Sequence, residues 1–547
     1  MPEASSRLLV DRSIIRVDGL PFFTFGPRLL LTPPGHYRDA CREIAAAGFT
    51  CVGSPPASPA TLPMLESLFE AAQEHGLFVV LLGDRRLPRH GRYLADRFRW
   101  RPNLHSYGLP WYDDLADMEE RFTSERDEIR ARDLFHPIWA NIGARRSNSF
   151  WLRSMDLYAA GQEPWHASMK PGPTAANRLA EVARLSRPPS VPRPLFCASL
   201  PVLSSDSDRL AGLYDHDPNV RILPREYENW FPGFTAFDSE AREDWLAPEP
   251  SQLRLRTYEL LMQGVRGVLL DFWEAMRGTP PHTGRDRLAE ATILAQEIAV
   301  LRDFFAEGTP ELCMLESGHP KLAAAVLRHG EDHLVLLRAI DDSPTHSPGE
   351  NLFLRVEVDI RPTAPRAWTG WRMDFPSAHP IAHVEDAQRA LRLSVGTVDT
   401  TALVLLTPGR QRAEALARGL AERLPLAARA AVDCLRHLLA KTGWVEERLH
   451  ELRAGVPPGT WLEAARKASE AAQGELAAGN HERAYTDARA GTRALRELMR
   501  VQEARARGDL LANNSMRRDH LARCYFTIPE FFREGRHDSD SVVLEFT

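Results

Sequence analysis

Cysteine is scarce and unpatterned: six occur in 547 residues, at positions 41, 51, 197, 313, 434 and 524, with no CxxC pair. That spacing excludes a disulfide framework and a zinc ribbon, and it suits a reducing compartment. Long hydrophobic runs are also missing. No stretch approaches the roughly 18 to 20 apolar residues that cross a bilayer. Residues 1–15 carry neither the basic start nor the apolar run of an export signal. The expectation is a cytoplasmic chain that engages no membrane, with export left open if the N-terminus is trimmed. Excess charge of one sign is absent too. Lys+Arg 68 against Asp+Glu 74 leaves −6, which provides no basic field for nucleic acid. No period of about 20–50 residues repeats, so a solenoid is disfavoured.

What is present is a globular composition, 44% hydrophobic and 26% charged. At about 150 residues per domain the length allows three to four units. From about residue 15 to 305, short apolar runs alternate with amphipathic stretches. Phe22–Leu31, Phe49–Ser54 and Leu77–Gly83 read as strands. Between them His36–Ala47 and Thr61–His75 read as helices, stopped by Gly48 and Gly76. Strand, helix with a glycine stop, strand is the pattern of parallel βαβ units. Further strands are expected near Ser106–Trp111, Pro137–Ile142, Met155–Ala160, Pro194–Leu200 and Gly267–Phe272. Helices are expected over Leu115–Arg132, Thr174–Leu185, Ser251–Gln263 and Asp286–Phe305. Eight strands in about 290 residues match a (β/α)8 barrel. The rival, an open doubly wound sheet, has no GxGxxG after its first strand.

From about 318 to 407 the apolar period changes to two, as in an antiparallel β-sandwich. Beyond Pro408 the chain is rich in Ala, Leu and Arg with helical periodicity to about Gln502. Breaks are expected at Gly443, Pro457–Gly459 and Gly479–Asn480. The fold class expected is α/β: a (β/α)8 TIM barrel over 1–310, a β-sandwich over 311–410, and an α-helical bundle and tail over 411–547. Mixed charge on the last helices suits packing, a protein partner or self-association better than a membrane surface.

Gly19-Leu20-Pro21-Phe22-Phe23, followed by a strand and Ala46-Ala47-Gly48-Phe49-Thr50, resembles the opening of clan-A-type glycoside hydrolase barrels. Arg256–Phe272 is similar to their seventh helix and eighth strand. A β-sandwich behind the barrel is common in that clan, and the resemblance covers about residues 15–407. Gly479–Arg500 resembles the helical tail of predicted glycosidase-like proteins of planctomycete-type bacteria and carries no known chemistry. The resemblance implies hydrolysis of O-glycosidic bonds in an oligo- or polysaccharide, with no cofactor. Such chemistry needs two carboxyl groups flanking the bond, set at the carboxyl ends of barrel strands.

In that family the fourth strand ends in an acid/base Glu. Here Gly108-Leu109-Pro110-Trp111-Tyr112-Asp113-Asp114 stands there, so the resemblance puts Asp114 at the Glu position and Asp113 beside it. The family's nucleophile ends strand seven, but Leu200-Pro201-Val202-Leu203-Ser204-Ser205 carries no carboxylate. Glu163, after strand six, and Glu274, after strand eight, are the candidate partners. The long stretch Ser204–Pro250 interleaves Tyr227 and Trp230 with acidic residues. Together with Trp273 they offer faces on which sugar rings stack.

Plainer readings stand beside these. Asp114 suits a cap for the helix from Leu115. Glu163 and Glu274 suit solvated loops, and the aromatics a satellite core. Tyr214-Asp215-His216-Asp217 lacks spaced partners, so no metal is expected. Arg85, Arg86, Arg89, Arg92, Arg97, Arg99 and Arg101 read as a solvated face or as an anion-steering patch. Two classes stay open: a glycoside hydrolase, and a catalytically degenerate barrel serving as a carbohydrate-binding or protein-assembly scaffold.

Overall fold

The computed structural model describes residues 8–11, 14–29, 32–57, 61–83, 90–109, 118–140, 155–161, 195–200, 249–270, 273–276, 284–311, 315–317, 319–340, 352–361, 367–385 and 390–512. Three short strands open the chain as an antiparallel meander: β1 (Leu8–Asp11), β2 (Ile14–Val17) and β3 (Leu20–Pro21). Strands and helices then alternate as β4 (Thr24–Pro27), α1 (Tyr37–Ala46), β5 (Cys51–Ala57), α2 (Leu62–Glu74) and β6 (Phe78–Gly83). Next come α3 (His90–Phe98), β7 (Leu104–Leu109), α4 (Met118–Arg130) and β8 (Ile138–Ala140). Last are β9 (Tyr158–Gly161), β10 (Leu195–Leu200), α5 (Pro250–Met262) and β11 (Val265–Leu270). α1 and α2 stop where Gly48 and Gly76 take φ of +92° and +69°, a left-handed turn that glycine makes without strain.

These strands form two four-stranded parallel sheets, β5-β6-β7-β8 and β4-β11-β10-β9. The sheets adjoin at two borders. Arg28, just past β4, makes a parallel bridge to Gly53, and Leu29 N donates to Gly53 O at 2.9 Å. At the other border Asp156 N donates to Ile138 O, also at 2.9 Å.

Alternation separates two faces. Val80 and Leu82 of β6 share a core with Cys51, Trp139, Ala159, Phe196 and Leu269, and Leu8 and Ile15 of the meander join it. Val79 and Leu81 point the other way, into a core with Leu65, Leu68 and Phe69 of α2. The first core is crowded. A Cβ at Gly108 would lie 2.5 Å from the Trp139 ring, and one at Gly267 2.6 Å from the Phe196 ring. Gly108→Ala is therefore expected to cost about 1–3 kcal/mol through overpacking. A lowered urea midpoint at unchanged slope would register it, whereas an unmoved midpoint would show that Trp139 yields.

The arginine run after β6 contains an element that the sequence reading lacked. α3 buries Leu94, Ala95 and Phe98, and the Phe98 ring stacks on Phe69 at 4.9 Å. Arg97 pairs with Glu66 and Arg101 with Glu70, while Arg99 Nη1 donates to Arg132 O at 2.8 Å. These arginines are thus spread over separate partners. Arg85, Arg86 and Arg89 lie outside the described residues.

Where one helix is expected over Asp286–Phe305, two occur: α6 (Arg285–Val300) and α7 (Arg302–Glu307). Leu301 leaves helical geometry at φ −97°, ψ 20°, and the new axis buries Phe304 and Phe305.

The antiparallel region comprises β12 (Thr309–Glu311), β13 (Leu315–Ser317), β14 (Leu322–His329), β15 (Asp332–Ala339) and β16 (Leu352–Ile360). It continues with β17 (Thr369–Arg372), β18 (His379–Ile381), β19 (His383–Glu385), β20 (Leu391–Asp399) and β21 (Thr401–Thr407). β20 and β21 pair only at Asp399 and Thr401, around Thr400 at φ 71°. The chain bends there, so the strands fall into two layers, β12-β14-β15-β21-β17-β18 and β13-β16-β20-β19. Val335, Leu337, Val404 and Leu406 meet Val358, Leu393 and Val395 between them. On the opposite face Leu334, Leu336, Leu403 and Leu405 join the helical core.

Three helices end the described chain: α8 (Arg410–Glu451), α9 (Gly459–Ala477) and α10 (His481–Ala512). The break expected at Gly443 does not occur, since both Gly443 and Pro425 lie inside α8. A single glycine costs a helix only about 1 kcal/mol, and burial of Leu435, Leu438, Val445 and Leu449 offsets it. The other two breaks fall where expected. Among the described residues no helix is long and apolar enough to cross a membrane.

α6 is the hub. Every residue from Ala289 to Ile298 is buried, and its polar groups find partners on other elements. Lys441 of α8 meets Asp286 at 2.7 Å, and Arg489 of α10 meets Glu290 at 2.6 Å. Arg423 Nη1 donates to Gln296 Oε1 at 2.8 Å, and Gln296 Nε2 donates to Ala47 O at 2.9 Å. The C-terminal helices are packed into the body rather than tethered to it.

Candidate functional site

In parallel βα repeats the segments leaving the carboxyl ends of the strands gather on one side, where reacting groups collect. β7 ends at Leu109, β9 at Gly161 and β11 at Leu270. Asp113 and Asp114 follow β7 and Glu163 follows β9; all three lie outside the described residues, as do Tyr227 and Trp230. Glu274 belongs to a 3-10 turn, Trp273–Met276, shortly after β11. One backbone hydrogen bond holds that turn, Trp273 N donating to Arg28 O at 2.9 Å, and a second joins Arg28 to the end of β11, Arg28 N donating to Leu270 O at 2.8 Å. The turn is thereby tied to the ends of both β4 and β11. The Trp273 side chain has no exposed surface, and its indole Nε1 meets no hydrogen-bond partner among the described residues. A buried donor left so costs about 1–3 kcal/mol.

Between the parallel strands sits a polar chain that sequence reasoning missed. Thr24 Oγ1 and His105 Nε2 are 2.7 Å apart, and His105 Nδ1 and Ser106 Oγ are 2.8 Å apart. Trp139 Nε1 donates to Ser106 Oγ at 3.0 Å. Burial, helped by nearby His136, lowers the His105 pKa to about 3. The imidazole is therefore neutral near pH 7, with both ring nitrogens in hydrogen-bond contact, one with Thr24 and the other with Ser106.

A second concentration of charge lies where α5, α6, the antiparallel layers and α10 meet. It surrounds a cavity of about 210 Å³. Arg254 of α5 donates to Glu297 at 2.5 Å and to Glu290 at 3.1 Å. Arg372 of β17 donates to Asp374 at 2.6 Å, and Arg493 of α10 approaches Asp399 at 3.4 Å. Burial pushes the Glu297 carboxyl up despite Arg254 beside it. At Asp399 burial pushes upward as well, but Arg496 and Arg489 outweigh it and hold the carboxyl at about 2. No sequence signal marks this cluster, because its members come from segments far apart in the chain. Among the described residues no group of three or more His, Cys, Asp or Glu is placed to hold a metal ion.

No protein-family profile matches the chain, and no curated protein does. Among solved structures with a similar course of chain are glycoside hydrolases. A family 5 protein from Bacteroides vulgatus has 13% identity over 74% of this chain and 94% of its own, at a TM-score of 0.47. An endoxylanase of glycoside hydrolase family 30 from Clostridium papyrosolvens has 7% identity over 74% and 99%, at 0.37. The α-fucosidase of Thermotoga maritima, solved with fucose, has 10% identity over 69% and 79%, at 0.38. At these low values the reading of this fold rests on its own strand pairings and side chains.

Proposed function

We propose that the two parallel sheets close into one (β/α)8 barrel, that the antiparallel layers form a β-sandwich, and that the chain is a glycoside hydrolase-like protein. Its ligand is an oligo- or polysaccharide, bound at the carboxyl ends of the strands. Asp114 protonates the departing oxygen, and Glu274, or else Glu163, attacks the anomeric carbon or activates water. Asp113, Tyr227 and Trp230 contact the sugar, whereas Trp273, expected from the sequence to offer a stacking face, is fully buried and belongs to the core beneath the site. The observation that carries this reading is the position of Glu274. It stands in a turn tied to the ends of β4 and β11, on the side from which the Asp114 segment leaves β7.

In a ring closed in strand order, β7 and β11 stand opposite one another, with Glu163 midway after β9. A carboxyl separation of about 5–5.5 Å corresponds to retention of configuration, and about 6.5–9.5 Å to inversion. On an oligosaccharide panel Asp114→Asn is expected to lower turnover by about a hundredfold or more, as for loss of a general acid. Unchanged turnover would remove Asp114 from that role. The absence of a carboxylate in Leu200–Ser205 favours a second reading, a barrel that binds glycan without cleaving it. Saturable oligosaccharide binding with no turnover in the unmodified chain would select that reading.

A further inference from the structure

The charged cavity beside α10 shares no lining residue with the candidate carboxylate site, and its hydrogen-bonding capacity is unbalanced. Its carboxylates are occupied. Glu297 accepts from Arg254 at one oxygen and from Tyr258 Oη at the other, at 2.5 and 3.0 Å. Asp374 accepts from Arg372 Nε at 2.6 Å and from Leu403 N at 2.7 Å. Asp399 accepts from Arg496 and Thr400 at one oxygen and meets Arg493 at the other.

The donors are not used up. Among the described residues Arg489 bonds only through Nη1, to Glu290. Among the same residues Arg493 has only its 3.4 Å contact to Asp399, and Arg372 finds no partner for Nη2 after Nε and Nη1 are engaged. Tyr485 Oη meets no partner among the described residues, although the residue is 5% exposed and lines the cavity.

Spacing concentrates these donors. Tyr485, Arg489 and Arg493 recur every four residues along α10, so they form one ridge, and all three line the cavity. The Phe375 ring, 5.9 Å from that of Tyr485, adds an apolar wall. Guanidinium groups bind carboxylate and phosphate oxygens in parallel pairs of charge-assisted hydrogen bonds. The cavity of about 210 Å³ has the volume of roughly seven waters in the liquid.

We propose that this cavity binds a small organic oxyanion, a carboxylate or a phosphate monoester, gripped by Arg489 and Arg493 with help from Arg372 and Tyr485. Its apolar body rests against Phe375. Because the lining comes from α5, α6, the antiparallel layers and α10, the ligand also clamps the C-terminal helices to the rest of the chain.

The test is calorimetry and thermal melting of the full chain with inorganic phosphate and, separately, with benzoate, each against chloride at equal ionic strength. Saturable binding that raises the melting temperature is expected. A response to phosphate alone identifies a phosphate ester, and one to benzoate alone a carboxylate. Arg493→Gln should weaken binding by roughly tenfold or more, the scale of a lost hydrogen bond to a charged group. Its unliganded melting temperature should barely move, since Arg493 is 36% exposed and its one contact is long. Two results would overturn the proposal: no saturable binding of either anion beyond the chloride control, or an Arg493→Gln chain that binds as tightly as the original.

Discussion

Lys441→Met should lower the stability of the chain by about 3–5 kcal/mol, the range for stranding one member of a buried ion pair. Lys441 of α8 and Asp286 of α6 meet at 2.7 Å with side chains 5% and 0% exposed. Burial pushes the Asp286 carboxyl up, but the Lys441 ammonium and the Arg287 guanidinium outweigh it and hold it below its usual range. With methionine at 441 the packing of the aliphatic stem is largely kept, yet the carboxylate loses its partner. Its other oxygen, Oδ1, already lacks a hydrogen bond, and Arg287 Nη1 stands 3.9 Å away. The first turn of α6 attracts the charge, but a helix N-terminus contributes no more than about 2 kcal/mol. Urea unfolding at neutral pH measures the loss. Pairing Lys441→Met with Asp286→Asn should recover a large part of it, because the stranded charge is gone, and the double-mutant cycle reports the coupling. A loss under about 1 kcal/mol for Lys441→Met alone would mean that the Asp286 charge is compensated without α8, contrary to the exposures above.

The parallel strands were legible because each is a short apolar run bounded by a turn signal. Val79–Leu82, for example, is buried on both faces and so needs no alternation to be read. The glycine stops at Gly48 and Gly76 were legible for a local reason, the positive φ of each. α3 was obscured because most of its residues are charged or polar, and its buried face amounts to Leu94, Ala95 and Phe98. Gly443 misled because helix propensity is a weak local term that packing along α8 overrides. The polar residues of α6 carried no sequence sign of their fate. Glu290 is answered by Arg254 from one direction and Arg489 from another, and such matches exist only once distant segments meet. The same holds for the candidate site. Sequence marks which carboxylates follow which strands, but the pairing of two of them is a distance across the fold. The cavity beside α10 was invisible for that reason as well.

The contribution of Glu249 to stability should be greatest below about pH 4.5 and fall toward neutrality, opposite in sign to that of His105, whose lowered pKa costs stability in acid. Glu249 is 1% exposed and caps α5, where one carboxyl oxygen accepts from Ser251 N at 2.9 Å and from the Ser251 hydroxyl. The other oxygen, Oε1, has no hydrogen-bond partner among the described residues. Burial raises its pKa from the ordinary 4.5 to about 7, with Arg496 opposing and Glu290 reinforcing. The folded state therefore holds the proton more tightly than the unfolded chain does. Stability from this group is fully present below about pH 4.5 and is lost as pH rises through about 7. At 1.36 kcal/mol per pKa unit the loss amounts to roughly 3 kcal/mol. Asp399 works with the opposite sign. Its pKa is held at about 2 against the ordinary 3.8, so its contribution is present above about pH 4 and disappears as pH falls toward 2. Glu249→Gln replaces the titrating group with a neutral amide. The stability difference between this variant and the original chain should shift in its favour by roughly 3 kcal/mol between pH 4.5 and 8. Parallel pH profiles for the two chains would show that Glu249 carries its charge at neutral pH. The geometry around Arg496 argues against that outcome. Its Nη2 pairs with Asp399 and its Nη1 donates to Thr400 Oγ1 at 2.6 Å, so the guanidinium is bonded to residues at the bend between β20 and β21. It attracts Glu249 only through space, and a carboxylate in that position, lacking a direct cationic partner, holds its proton up to about pH 7.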